Sequence, residues 1–103
     1  MLMLRRFEGE AVMIGSKTRV MVSGLDSRNR TVIVTITDAG EPFTISTVKE
    51  GASFMLGTDV RVAIVSIEGK AIKVGIDAPR EIPVHREEVF NRIHNGRAHS
   101  PPE

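Results

Sequence analysis

Apolar and polar residues alternate along most of this chain. Val20 and Val22, then Val32, Val34 and Ile36, then Val62 and Ile64, then Ile72, Val74 and Ile76 all recur at every second position. A period of two places these residues on one face of a strand, and turn-forming residues separate the runs. The pattern predicts strands near residues 1–7, 11–15, 18–25, 31–37, 42–48, 53–56, 60–67, 71–77 and 81–86. Only the end of the chain changes period. Glu87 and Glu88 suit the partially positive start of a helix, Val89, Phe90 and Ile93 form its apolar face, and Gly96 reads as a left-handed stop. The expected fold is all-β, a small barrel or sandwich, with one short helix near 87–95 and a flexible tail at 96–103.

The densest local signal is VGIDAPREIPVHREEVFNRI, Val74 to Ile93. Pro79 stops the preceding strand and holds Ala78 in an extended conformation, so a turn follows. The chain re-extends through Glu81 to Arg86, where Pro83 lacks the N–H a central ladder needs; the strand is expected at an edge. Val84, His85 and Arg86 thus fall where a strand gives way to a helix.

The chain also repeats itself. Glu8-Gly9, Met13-Ile14-Gly15, Arg19-Val20 and Val22 return at one constant spacing as Glu50-Gly51, Met55-Leu56-Gly57, Arg61-Val62 and Ile64. The register then slips by two, because Asp26 to Arg30 makes a longer turn than Glu68-Gly69-Lys70. Beyond the slip, Val32, Val34 and Ile36 match Ile72, Val74 and Ile76. The copies are unequal. Between Ile36 and Gly51 there is room for one strand, Glu41 to Lys49, and none for a further strand and a helix. The first unit, 1–41, therefore lacks its C-terminal end; the second, 42–95, keeps it. One compact domain over 1–95 suits the length of 103 residues.

The Val74–Ile93 string, with Gly51, Met55, Gly57, Val60, Val62 and Gly69 before it, resembles the carbon storage regulator (CsrA-like) family. The opening Met1 to Arg6 also resembles that family's first strand, so the chain looks like a tandem fusion of two units with the first truncated. The resemblance implies a sequence-selective messenger RNA binder that reads GGA in a hairpin loop and modulates translation. In the family, each site joins the first strand of one protomer to the last strand of the other. Carried over, the RNA-binding residues are Leu4, Arg5, Arg6, Val84, His85 and Arg86. The family usually has threonine where this chain has Arg5 and a second arginine where it has Phe7. A second site would need a last strand that the first unit lacks, and Val48 stands where Arg6 stands in the first copy. One composite site is expected. The alternative is a protein-interaction module that keeps the fold without binding RNA. The chain could be a monomeric pseudo-dimer or a strand-exchanged homodimer, with a protein antagonist as a further possible partner.

Charge narrows these readings. Fourteen Lys and Arg against thirteen Asp and Glu give a net +1, so binding of a polyanion has to be local, not a bulk field. The four aromatics are all phenylalanine, which leaves hydrogen bonds and arginine forks in place of a stacking platform. Leu4 and Val84 would contribute backbone groups. His85 reads as structural, His94 and His99 complete no ligand set, and neither cofactor nor metal is expected. No nucleophile elbow, metal motif or phosphate loop is present, so no enzyme is expected. Met13 and Met55 read as core filler, and Gly9, Gly15, Gly51 and Gly57 as turn glycines. The absence of cysteine, of a leader-like start and of any apolar run near ~18 residues makes a cytoplasmic protein the default expectation.

Overall fold

The computed structural model describes residues 1–39 and 43–99, with side chains through Ile93. Nine strands and one helix follow in chain order: β1 Leu2–Phe7, β2 Ala11–Ile14, β3 Thr18–Asp26, β4 Thr31–Asp38, β5 Thr44–Lys49, β6 Ser53–Leu56, β7 Val60–Glu68, β8 Ala71–Asp77, β9 Val84–Arg86 and α1 Glu87–His99. They form two antiparallel sheets, β1-β8-β7-β6 and β5-β4-β3-β2-β9. The fold is all-β with a C-terminal helix. Both sheets turn rows of valine and isoleucine inward. Val20, Val22, Val32 and Val34 from one sheet meet Val62, Ile64, Ile72 and Val74 from the other, all at 2 % exposure or less. Each such side chain contributes about 1.5–3 kcal/mol of burial, far more than any single surface contact, so this seam holds the sheets together.

The sheets exchange strands. β1 pairs with β8, whereas β5 pairs with β4, so each half of the chain lends its first strand to the other half. Backbone detail recurs at an interval of 42 residues. The Gly9 N–H donates to Val22 and that of Gly51 to Ile64, at 2.8 and 2.7 Å. The side chain of Glu8 accepts from the Leu25 N–H and that of Glu50 from the Ile67 N–H. Gly9 and Gly51 share φ of 87° and 89°, in the left-handed region where glycine alone is unstrained.

Four expectations need correction. The helix does not stop at Gly96 but continues to His99, so residues 96–99 are helical, not tail; residues 100–103 lie outside the described residues. The last strand covers only Val84–Arg86, because Pro79 to Ile82 form a turn closed by the Ile82 N–H on the Pro79 carbonyl at 3.0 Å. The fifth strand begins at Thr44, after Phe43; the expected start at Pro42 lies outside the described residues. Met55 is not core: it is 51 % exposed, whereas Met13 is 8 % exposed, because β9 pairs with β2 and α1 packs against β2, and no equivalent covers β6 among the described residues.

Candidate nucleic-acid interface

β1 and β9 each end a sheet, so each leaves one backbone edge outside the ladders. β1 is placed by β8, from Leu2 opposite Ile76 to Phe7 opposite Ala71. β9 is placed by β2, with Arg86 opposite Val12, His85 opposite Met13 and Val84 opposite Ile14. The Gly15 N–H extends that pairing to the Pro83 carbonyl at 2.8 Å; proline keeps its acceptor though it has no donor. Leu2 and Val84 line one cavity of about 250 Å³, and at the other end of β1 Arg6 reaches Glu88, just past β9. The two strands therefore run alongside one another in the same direction, unpaired.

Arg6 is the pin of this arrangement. Its side chain is 4 % exposed. Nη1 and Nη2 donate to the two carboxylate oxygens of Glu88, both at 2.9 Å. Nη1 also donates to the Ala11 carbonyl at 3.1 Å, and Nε to the Arg5 carbonyl at 2.9 Å. A forked guanidinium suits such a bidentate pair. The neighbouring carboxylate is held as well: Arg19 of β3 donates from Nε and Nη2 to Glu87. Both acids opening α1 are thus gripped by arginines from the first 38 residues.

The Arg6 hydrogen bonds lower the Glu88 carboxyl to about 2, against 4.5 unperturbed. A carboxylate depressed on folding adds stability that is complete above the unfolded value and is lost as pH falls through the folded one. Wild-type protein should therefore lose more thermal stability between pH 5 and pH 2 than Glu88→Gln does. Equal losses in melts across that range would show that the pair contributes nothing. The effect stays modest because Glu88 is 55 % exposed and solvent screens it.

The structure gathers all six sequence-assigned residues on β1 and β9, but in different settings. Arg86 is exposed, on the same face of β9 as half-buried Val84; His85 points to the opposite face. Leu4 is half-buried and Arg6 is enclosed. Arg5 lies on the outer face, 62 % exposed, with Glu68 3.8 Å from its guanidinium. Across the ladder Arg5 stands opposite Lys73, a second cation that sequence reasoning missed; the pairing of β1 with β8 is the signal that would have found it. Like charges at directly opposed positions repel, and an anion between them relieves the repulsion.

Among the described residues, no group of three His, Cys, Asp or Glu side chains gathers as metal ligands would, and no helix is long and apolar enough to cross a membrane. No solved structure matches the chain. From β5 into α1, a segment that carries β9 and the acids clamped by Arg6 and Arg19, residues 45–95 match a CsrA domain of the global regulator protein family.

Proposed function

We propose that the protein is a post-transcriptional regulator that binds messenger RNA, recognises GGA displayed in a hairpin loop and modulates translation. The observation that carries this reading is the pair of unladdered strand edges, β1 and β9, joined at one end by the Arg6–Glu88 pair, with Arg86 exposed on β9. Strand edges offer fixed donors and acceptors for base edges, and the bases of a loop are already unpaired. Arg86 reads a base or phosphate, Leu4, Val84 and His85 supply backbone groups, and Arg5 with Lys73 holds a phosphate of the flanking strand. Arg6 acts as a positioning residue, since its fork is spent on Glu88. The cytoplasm is the matching compartment.

The chain reads as a tandem fusion of two CsrA-like units, 1–41 and 42–95, the first without its last strand and helix. The recurring hydrogen bonds at an interval of 42 residues and the exchanged first strands support this. One composite site per chain follows, without the effective-concentration gain of a two-site binder.

A labelled hairpin with GGA in its loop, titrated at fixed salt, should saturate at one RNA per chain. Disrupting GGA or introducing Arg86→Ala should each weaken binding by about tenfold or more, the scale of one lost charged contact to a base. Equal binding of both hairpins would remove the RNA reading and favour an interaction module that has kept only the fold.

A further inference from the structure

The 42-residue repeat of the backbone leaves one half of the molecule finished and the other open. In the finished half, β9 lies against the outer edge of β2, and α1 begins where Arg19, opposite Met13 on the β2–β3 ladder, grips Glu87. In the other half, β6 ends its sheet, with no strand beyond it among the described residues. A groove of about 560 Å³ runs between β5 and β6, lined by Ser46, Val48, Ala52, Phe54 and Met55. These residues stand 42 positions after Leu4, Arg6, Glu10, Val12 and Met13, the surroundings of the finished half. Gly57, the counterpart of Gly15, has no carbonyl like that of Pro83 to receive its N–H among the described residues. Independently, Arg61 lies opposite Met55 just as Arg19 lies opposite Met13. Arg19 is engaged; Arg61 is exposed and makes no ion pair among the described residues, although Asp77 stands opposite it on the β7–β8 ladder.

We propose that the β5–β6 groove is a docking site for a strand–helix segment of another polypeptide, added to the edge of β6 by main-chain pairing and anchored by a carboxylate on Arg61. The chemistry of the occupant follows from the chain's own β9–α1. The segment has a short extended run that pairs antiparallel with Ser53 to Leu56, followed by a helix whose first residue is acidic. Its next residue differs from Glu88. Val48 fills the place of Arg6 and is 8 % exposed, so it offers an apolar contact and no cation. A carboxylate there would lie unpaired beside an apolar surface, which disfavours it. A second copy of this chain cannot serve without loss, because it has a single β9 and would have to vacate its own β2 to fill the groove. Burial of Met55 and pairing of the exposed edge are the gains that drive such an addition.

The intact chain should be titrated with a synthetic peptide of residues 81–99, followed by backbone amide shifts. Shifts at Ser53 to Gly57 and Arg61, with those at Ala11 to Gly15 unmoved, are the expected result. Arg61→Glu should weaken the peptide by about tenfold, a peptide carrying Glu87→Lys should recover it, and one carrying Glu88→Val should bind the wild-type chain more tightly. Arg61→Glu sets a second acid opposite Asp77 on the β7–β8 ladder and should shift the free protein's signals there, whereas Arg61→Gln avoids that repulsion and should weaken the peptide while leaving the spectrum of the free protein otherwise intact. No shift at millimolar peptide would overturn the proposal. So would shifts at Ala11 to Gly15, which would mean displacement of the resident β9, or self-association of the free chain through β6.

Discussion

Glu88→Ala should destabilise the protein by about 1–3 kcal/mol, whereas Arg6→Met in the Glu88→Gln background should restore much of the loss. Removing the acid takes the bidentate counter-charge from a guanidinium at 4 % side-chain exposure and leaves it only Glu10, 3.7 Å away and 41 % exposed. The loss of a fully buried partner costs about 3–5 kcal/mol, but the remaining acid and two further features reduce the figure here. Arg6 keeps the Ala11 and Arg5 carbonyls as acceptors, and the Glu88 side of the pair is half in water. An apolar side chain of similar length has no charge to strand. The chain already contains the precedent, since Val48 occupies the equivalent place in the second half and is buried. Urea unfolding of the three proteins at pH 7 measures this directly. If Arg6→Met with Glu88→Gln proved as unstable as Glu88→Ala, the cost would lie in lost shape and not in a stranded charge.

The same pair shows where sequence reading stops. Alternation gave away the core strands because Ile72, Val74 and Ile76 must all face one way, and a face buried in one residue is buried in all three. The repeat was legible for the same reason: Gly9 and Gly51 carry out one backbone manoeuvre twice. By contrast, Arg6 and Glu88 are 82 positions apart, and nothing local to either names the other. Arg6 therefore reads from sequence as a surface cation beside Arg5, although the structure encloses one and exposes the other. Met55 failed in a related way. Its sequence context is that of Met13, but burial depends on what lies above the sheet, and the element above Met13 comes from the far end of the chain. At Gly96 a local rule was overruled: glycine permits a left-handed stop without imposing one, and the helix continues.

Gly24→Ala should cost about 2–4 kcal/mol, and Ile33→Ala in the same chain should reduce that increment to about 1 kcal/mol. Gly24 lies in β3 where the register with β4 shifts between Ser23 and Asp26, at φ 53°. A methyl group there meets two separate objections. The left-handed backbone alone costs a non-glycine residue about 1 kcal/mol. In addition, a Cβ would stand 2.5 Å from Cδ1, 2.9 Å from Cγ1 and 3.3 Å from Cβ of Ile33. Rotating the tip of Ile33 away relieves the first contact but not the other two, so the side chain or the strand carrying it has to shift. β4 is held between β3 and β5, and Val32 and Val34 beside Ile33 are fully buried, which resists any such shift. Truncating Ile33 removes the second objection and leaves the first. The double-mutant cycle, read by chemical denaturation, therefore separates backbone strain from steric overlap. A coupling near zero would mean that the bulge opens freely and that φ alone makes glycine necessary here.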